Sequence, residues 1–358
     1  MTNPLPQGAV IGILGGGQLG RMLSIAAARL GLKCHIFEPG ATPPADQVAW
    51  KTTRADYTDI AAITAFAQSV DVVTYEFENI PTEALDAIEA ICPVRPGREA
   101  LAASQDRILE KDFLTGLGLL TAPYRAVDTL ADLQQALAEI GTPSILKTRR
   151  FGYDGKGQVR LKDVAEADAA FAALKGAPAV LEGFVDFDYE VSVIGARAQD
   201  GAVVCFDPGQ NVHRDGILHT TTVPAELSLA QQTDAIILTG RILNALDYVG
   251  VMGVELFVTK GGLIVNEIAP RVHNSGHWTQ NGCVIDQFEQ HIRAVAGWPL
   301  GDGQRHSNVT MTNLIGDEVL AVDSLAKDMQ AGLHLYGKAE ARPGRKMGHV
   351  NRLTGSAT

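Results

Sequence analysis

One stretch near the start of the chain restricts the fold more than any other. The apolar run from Ala9 to Leu14 leads into Gly15-Gly-Gly-Gln-Leu-Gly20, and an apolar-periodic stretch from Leu19 to Leu30 and a second apolar run from Lys33 to Phe37 follow it. Short apolar runs on either side of an amphipathic stretch predict a strand, a helix and a second strand. Such units build parallel sheets, so we interpret residues 1–110 as one parallel-sheet domain.

The glycine pattern between the first strand and the helix has two interpretations. Gly15, Gly17 and Gly20 match the dinucleotide fingerprint G-x-G-x-x-G, and Glu38 ends the next strand about 20 residues later, where that fingerprint has an acidic residue for the ribose. An NAD-dependent oxidoreductase is therefore a serious alternative. The same glycines would let backbone N–H groups and a helix N-terminus approach a sugar phosphate or a carboxylate. The loop alone leaves both interpretations open.

Length, charge and cysteine usage argue against several classes of protein. A chain of 358 residues is too long for one typical core and predicts two or three domains. The formal net charge of −11 argues against nucleic-acid binding, and no apolar stretch reaches the roughly 18 residues that a membrane helix needs. The first residues do not resemble a signal peptide and the four cysteines are widely separated, so we expect a cytoplasmic protein whose cysteines are mostly reduced core residues.

The rest of the chain divides by its pattern of strands. Strand-like runs at Ser144 to Lys147 and Val159 to Leu161 surround a glycine-rich loop, which predicts a small lid-like domain. From Ala179 onward the pattern is dominated by strands. We expect that region to form an antiparallel sheet.

Two glutamates lie on a predicted hairpin in the strand-rich region. Glu255 and Glu267 belong to two apolar runs that Thr259-Lys-Gly-Gly262 separates. Centring the turn on Gly261 makes the glutamates direct cross-strand neighbours on one face, with Cβ atoms about 5 Å apart. Apolar flanks imply half-buried charges that repel each other unless something neutralises them, and oxygen ligands favour Mg2+ that a nucleotide carries. The alternative is two surface glutamates on a solvated edge.

A lysine and a glycine loop come from adjacent elements of the predicted small domain. Lys147 ends a strand, and Gly152-Tyr-Asp-Gly-Lys-Gly-Gln158 follows it. Phosphates could be gripped between them, although the loop lacks the Gly-Lys-Ser/Thr ending of a P-loop. The combination of a lysine, a glycine loop and a distant Glu/Glu hairpin resembles the ATP-grasp superfamily, whose members clamp ATP between two domains.

Four motifs make the chain similar, over nearly its whole length, to the N5-carboxyaminoimidazole ribonucleotide synthetase family. They are Gly15-Gly-Gly-Gln-Leu-Gly-Arg-Met-Leu23, the Gly152 to Gln158 loop, Asn266-Glu-Ile-Ala-Pro-Arg-Val-His-Asn-Ser-Gly-His-Trp-Thr-Gln-Asn281 and Arg342-Pro-Gly-Arg-Lys-Met-Gly-His349. The third is the most specific, because neither packing nor turn chemistry requires its order of polar side chains.

The resemblance implies a mixed α/β and α+β architecture, the ATP-grasp fold. A Rossmann-like pre-ATP-grasp domain over residues 1–110 would bind the ribonucleotide. A small lid domain would span residues 111–185 and cover ATP. A large antiparallel-sheet domain over residues 186–358 would carry the magnesium site and a C-terminal phosphate-binding segment.

The resemblance also implies roles for individual residues, with ATP and Mg2+ as the ligands of the cleft and Glu255 and Glu267 as the metal ligands. The residues implied to contact ATP are Arg107, Lys147, Gly152, Tyr153, Asp154, Gly155, Lys156, Gly157, Gln158, Glu182, Gly183, Phe184, Val185, Glu190, His213, Asn266 and Glu267. The residues implied to contact the ribonucleotide are Gln18, Leu19, Glu76, Tyr153, Asp154, Lys156, Asn274, Lys338, Arg345 and Lys346. Glu78 is an alternative to Glu76.

The implied reaction is the ATP-dependent carboxylation of 5-aminoimidazole ribonucleotide by a homodimer. Bicarbonate is a poor electrophile, and transfer of the γ-phosphoryl group of ATP would convert it to carboxyphosphate, which delivers CO2 to the amine. We expect Lys147 to offset phosphoryl charge, Arg271 to orient bicarbonate and His273 to handle the proton. The alternatives are a formate-dependent glycinamide ribonucleotide transformylase, which shares the ATP-grasp plan, the oxidoreductase, and a catalytically silent nucleotide-binding module.

Overall fold

Three β-sheets, one parallel and two antiparallel, organise the chain. The computed structural model of the protein describes residues 3–152 and 156–356. Each sheet is built from one segment of the chain: residues 10–75 form the first, residues 124–183 the second and residues 189–356 the third.

The N-terminal sheet is parallel, as the glycine-loop pattern predicts. Its strands are β1 (Val10–Leu14), β2 (Lys33–Phe37), β3 (Lys51–Thr53) and β4 (Val72–Tyr75), in the spatial order β3-β2-β1-β4. The helices around it are α1 (Gln18–Arg29), α2 (Ile60–Ala67), α3 (Thr82–Glu89) and α4 (Arg98–Ser104). Because β1 lies between β2 and β4, the loops after β1 and β4 meet at the carboxyl edge of the sheet where the strand order reverses. Parallel sheets bind their ligands at that point.

Helix α5 (Arg107–Gly116) connects the parallel sheet to a small antiparallel sheet. The small sheet contains β5 (Tyr124–Val127), β6 (Ser144–Thr148), β7 (Gln158–Leu161) and β8 (Ala179–Gly183), in the order β5-β8-β6-β7, and α6 (Leu130–Ile140) and α7 (Ala167–Ala173) pack against it. The strand pattern alone grouped the strand that begins at Ala179 with the large antiparallel sheet, whereas the boundaries that the resemblance implies placed it in the small domain, residues 111–185. The grouping by strand pattern is wrong, because β8 pairs with β5 and β6.

The large sheet has nine strands and is antiparallel throughout its described pairings. They are β9 (Tyr189–Arg197), β10 (Val203–Cys205), β11 (Gly209–Arg214), β12 (Ile217–Val223), β13 (Gly250–Thr259), β14 (Gly262–Ala269), β15 (Ser307–Ile315), β16 (Ala331–Leu335) and β17 (Lys346–Ser356). They run β14-β13-β9-β11-β12-β15-β17-β16, and β10 adds to β9. The remaining α-helices are α8 (Leu229–Ala245), α9 (Thr279–Gly282), α10 (Gln287–Ala296) and α11 (Val322–Leu325).

One hydrophobic core joins the parallel sheet to the large sheet, whereas the small sheet has a core of its own. Ile13 of β1 and Leu23 of α1 belong to the same buried cluster as Phe206 and Phe288. Leu133 of α6 belongs to a separate cluster that contains only residues of the small sheet and its helices. We therefore expect the small sheet to unfold as a unit distinct from the rest.

The composition led to two expectations, one about membrane-spanning helices and one about the cysteines. In the part of the chain that the structure describes, no helix combines the length and apolarity needed to cross a membrane. The four cysteines are free thiols, and Cys34, Cys92 and Cys283 are buried, as expected, while Cys205 is partly exposed.

The separate cores predict different responses to two large-to-small substitutions. Phe288→Ala should lower the free energy of unfolding of the shared core by about 3–5 kcal/mol, because it removes a fully buried ring. Leu133→Ala is the matched control and should cost about 2–5 kcal/mol within the small sheet alone. The tryptophans at 50, 278 and 298 all lie outside the small sheet. When denaturant unfolding is followed by their fluorescence, the midpoint concentration should therefore fall for Phe288→Ala only. Equal shifts for both variants would contradict the division into two cores.

Candidate active site

The glycine loop after β1 binds carboxylates of the protein itself. The N–H groups of Gly17 and Gly20, at the start of α1, donate to the two oxygens of Glu76, the latter over 2.6 Å. The N–H of Gly16 donates to Glu38 Oε2 over 2.8 Å. A Cβ at Gly15 would lie 2.4 Å from Glu76 Cγ, so this glycine makes room for the Glu76 side chain. The anion position of the fingerprint is therefore occupied by Glu76.

This arrangement argues against the dinucleotide interpretation. A pyrophosphate would need the same N–H groups that Glu76 uses, and it would face the negative charge of Glu76. The second oxygen of Glu38 accepts the Gly40 N–H over 2.8 Å. Both carboxylate oxygens of Glu38 therefore accept backbone N–H groups, one from the glycine loop and one from Gly40. Burial raises the pKa of Glu76, although the two amides that bind it oppose this shift.

A pocket of about 510 Å³ opens beside the loop. Its lining comprises Gly16, Gly17, Glu38, Gly40, Ala41, Thr42, Pro43, Pro44, Tyr57, Glu76, Phe77 and Arg345. Lys338 Nζ donates to Gln18 Oε1 and to the Lys346 carbonyl, both over 2.6 Å. The fold thus brings Gln18, Glu76, Lys338, Arg345 and Lys346 together from both ends of the chain, whereas Leu19 packs against the shared core.

Glu255 and Glu267 are direct cross-strand partners, as predicted. The predicted reason was wrong. The two-residue turn is Lys260-Gly261, so simple pairing would set Glu255 opposite Asn266, but an irregularity after Glu255 pairs Leu256 with Val265 and shifts the register by one residue. The extra residue in this β-bulge is Asn266, and it returns Glu267 to the face that carries Glu255.

The environment separates the pKa values of the two glutamates. Burial and the nearby Glu267 charge raise the pKa of Glu255. For Glu267, burial is outweighed by the attraction of Arg107, whose Nη1 donates to Glu267 Oε2 over 3.1 Å, and by Lys147, so its pKa is lowered. No group of three or more potential metal ligands exists among the described residues. Two carboxylates fit a cation that takes its other ligands from nucleotide phosphates.

The segment after β14 places a cation and an imidazole next to this pair. Arg271 Nε lies 2.8 Å from Glu78 Oε1, and His273 Nε2 lies 3.5 Å from Glu255 Oε1. His273 Nδ1 lies 2.8 Å from the Ser275 hydroxyl. Burial and the charge of Arg271 lower the pKa of His273 to about 3, so its ring is neutral at physiological pH.

A buried amide pair holds the neighbouring Asn274. Asn274 Nδ2 donates to Asn313 Oδ1 over 2.9 Å, and Asn313 Nδ2 donates to Asn274 Oδ1 over 2.7 Å. Asn274 is therefore fixed, and only its remaining hydrogen-bonding capacity is available to a ligand.

The small sheet faces the hairpin with a lysine and an extended segment. Lys147 Nζ donates to Glu182 Oε2 over 2.9 Å. The Gly183 and Phe184 N–H groups donate to the carbonyls of Pro123 and Pro143, whereas that of Val185 has no partner among the described residues.

Across the cleft, on the large sheet, Glu190 and His213 form a pair. Glu190 Oε2 lies 2.6 Å from His213 Nδ1. The pKa of His213 is raised, because its hydrogen bond to Glu190 outweighs the effect of burial.

The glycine loop of the small sheet connects β6 to β7. Gly157 has a φ of +73° and a Cβ there would lie 2.7 Å from Thr148 Oγ1, so this position requires glycine. Gly152, Lys156 and Gln158 border the loop. The predicted contacts of Tyr153, Asp154 and Gly155 lie outside the described residues.

Helix α5 contributes charged residues that the motif analysis missed. Glu110 and Lys111 are almost completely buried, and Glu110 Oε1 accepts the Ile268 N–H over 2.6 Å. Lys111 precedes the buried Leu114 by three residues, so the two lie on the same, buried face of the helix. This spacing is present in the sequence and could have indicated a buried lysine.

Comparison with known families agrees with this arrangement. Residues 9–105 match the ribonucleotide synthetase preATP-grasp domain, residues 112–288 the ATP-grasp domain, and residues 309–358 the phosphoribosylaminoimidazole carboxylase C-terminal domain. The first match covers the parallel sheet, the second covers the small sheet and β9 to β14 of the large sheet, and the third covers most of β15 together with β16 and β17.

Individual relatives are similar over almost their whole length. The N5-carboxyaminoimidazole ribonucleotide synthase of Brucella melitensis is 55% identical over 98% of this chain and 97% of its own, and that of Bacillus subtilis is 43% identical over 96% and 91%. A solved ADP complex of an N5-carboxyaminoimidazole ribonucleotide synthetase superposes with a TM-score of 0.96 at 42% identity, covering 99% of this chain and 94% of its own. An Aspergillus clavatus synthase solved with ADP and 5-aminoimidazole ribonucleotide gives 0.92 at 31% identity, covering 98% and 94%. This chain belongs to the N5-carboxyaminoimidazole ribonucleotide synthase family of ATP-grasp enzymes.

Proposed function

We propose that this protein carboxylates 5-aminoimidazole ribonucleotide to N5-carboxyaminoimidazole ribonucleotide in purine biosynthesis, using ATP and bicarbonate. The grouping of charged side chains carries the proposal. Arg107 contacts Glu267, whose cross-strand partner Glu255 lies beside His273. Arg271, two residues before His273, contacts Glu78, and Glu76 and Glu78 both follow β4. The nucleotide site and the ribonucleotide site would therefore both lie next to the Arg271 guanidinium and the neutral His273 imidazole. The family resemblance also supports a cytoplasmic location and a homodimer. A monomeric mass in solution would contradict the homodimer.

The nucleotide binds between the small and large sheets. Lys147, Arg107 and the Gly152 to Gln158 loop would grip the phosphates. The unpartnered N–H of Val185, in the segment that begins at Glu182, is a donor for an adenine ring nitrogen. Glu190, held by His213, is an acceptor for the ribose hydroxyls.

Glu255 and Glu267 would hold Mg2+, with Asn266 beside them. The ion would neutralise phosphate oxygens and offset the charge that develops during phosphoryl transfer. Without it the two carboxylates repel each other, which agrees with their divergent pKa values. The residues present therefore fit the group.

Arg271 and His273 would act on bicarbonate. Arg271 is almost enclosed, and its guanidinium can orient a small anion while it remains against Glu78. The Ser192 hydroxyl donates to Ser275 Oγ over 2.6 Å, which leaves the Ser275 proton for His273 Nδ1 and assigns the imidazole proton to Nε2. His273 would give its Nε2 proton to the departing phosphate while its Nδ1 takes the Ser275 hydroxyl proton and Ser275 takes that of Ser192, so that the ring stays neutral. Carboxyphosphate is unstable in water, so closure of the glycine loop would exclude solvent.

Glu267→Gln should abolish turnover without unfolding the protein. The amide removes one of the two charges that hold the cation and leaves Arg107 without its carboxylate. Steady-state kinetics at saturating Mg2+ should give less than about a tenth of wild-type activity. Glu139→Gln, which alters an exposed ion pair on α6, is the matched control and should be silent. Activity above that level in Glu267→Gln would contradict the metal assignment.

Arg345 and Lys346 should determine the affinity for the ribonucleotide phosphate. Replacing both by alanine removes two positive charges at the glycine-loop pocket, so the KM for the ribonucleotide should rise about tenfold or more while that for ATP changes little. Arg342→Ala, in the same turn, pairs with Glu340 and is the control. Equal increases in the two KM values would argue against this placement.

The decisive test of function is isotope incorporation. The protein should release ADP and phosphate with 5-aminoimidazole ribonucleotide and bicarbonate, and should transfer labelled bicarbonate into an acid-labile carbamate. ATP cleavage alone is insufficient, because carboxyphosphate formed without acceptor hydrolyses. Formylation of glycinamide ribonucleotide would preserve the ATP site but refute the acceptor. NAD binding without ATP cleavage would refute the ligase assignment.

A further inference from the structure

The buried Lys111 is an ionic group of the cleft that the proposed chemistry does not use. Its side chain is 1% exposed, and the ring of Tyr124 lies 6.0 Å from its Nζ. A buried ammonium is costly unless a carboxylate compensates it. Lys111 Nζ lies 3.4 Å from Glu182 Oε1, an oxygen that no hydrogen-bond donor among the described residues reaches.

Glu182 therefore lies between two lysines. Its other oxygen accepts the hydrogen bond from Lys147. Burial would raise the pKa of Glu182, but Lys147 and Lys111 outweigh it, so the carboxylate is ionised. Two ammonium groups share one carboxylate, and the trio carries a net charge of about +1.

The position of Lys111 is fixed by the helix that carries it. Asp106, the N-cap of α5, pairs with Arg149 over 2.8 Å at the end of β6. Arg107, one turn before Lys111, reaches Glu267 of the large sheet. One helix thus supplies a cation to a carboxylate on each side of the cleft. Because α5 is bound to both sheets, Lys111 cannot follow Lys147 when that side chain turns towards a ligand.

We propose that Lys111 is a positioning residue that keeps Glu182 compensated, so that Lys147 is able to direct its charge to the nucleotide phosphates. Without Lys111, Lys147 would be the one cation within 4.0 Å of Glu182 among the described residues, with Arg107 acting on it from a greater distance. The charge of Lys147 would then be neutralised within the protein, and a phosphate would have to compete with a buried carboxylate for it. The inference rests on the proposed ATP site and concerns nucleotide affinity, not the identity of the acceptor.

The test is a double-mutant cycle between Lys111→Met and Glu182→Gln, read by calorimetric titration with MgADP. Lys111→Met keeps the length of the side chain and should weaken MgADP binding about tenfold. Glu182→Gln measures separately the affinity lost with this carboxylate, which is itself placed among the ATP contacts. In the double variant, Lys111→Met should cost less than about threefold relative to Glu182→Gln, because no carboxylate is left there to neutralise Lys147.

The controls separate a positioning role from a structural one. The Kd of 5-aminoimidazole ribonucleotide, measured without nucleotide, should be the same in all four proteins. Wild-type MgADP affinity in Lys111→Met, or a Lys111→Met effect of the same size with and without Glu182, would overturn the proposal. Should Lys111→Met not fold by itself, the double variant is compared with Glu182→Gln, and weakening of MgADP binding by more than about threefold would overturn the proposal instead. Because bicarbonate is absent from these titrations, failure of the carboxylation assay would leave their outcome unaffected.

Discussion

Repulsion between two partly buried carboxylates is the constraint on which the cleft depends. Glu255 and Glu267 face each other across one hairpin, and a low-dielectric setting makes two ionised neighbours costly. Arg107 compensates Glu267, and His273, neutral in its buried position, adjoins Glu255 without adding charge. In the proposed function the same pair would provide the oxygen ligands for a cation that arrives with a nucleotide. Binding of MgATP would then relieve this repulsion.

Helix α5 connects this site to the small sheet. It presents Arg107 to the large sheet and Lys111 to Glu182, while Glu110 accepts an N–H of β14. The small sheet has a core of its own, so these polar contacts, more than apolar packing, link it to the rest of the protein. Elements with few shared apolar contacts move more readily, which suits the lid role proposed for the small sheet.

The glycine loop at the N-terminus illustrates how one backbone motif serves different chemistry. Donors at the start of α1 are suited to any anion. In this protein Glu76 and Glu38 take those donors, and the ligand pocket lies beside the loop, with Arg345 in its lining. Glu76, the residue after β4, distinguishes this loop from a dinucleotide-binding loop. The glycine pattern does not reveal that residue.

Local sequence was sufficient for many of the elements and for the pairing of the two glutamates. Periodicity located the β1-α1-β2 unit, and the apolar flanks of Glu255 and Glu267 indicated a half-buried pair, because these features depend on neighbours within one strand or hairpin. It was insufficient for the strand at Ala179, which joins the small sheet, and for the bulge at Asn266, because strand pairing and register depend on contacts with distant segments. The partners of Glu76, Arg271 and Lys111 likewise come from segments far away in the chain. Electrostatic roles of this kind are set by distance in space, which folding alone establishes.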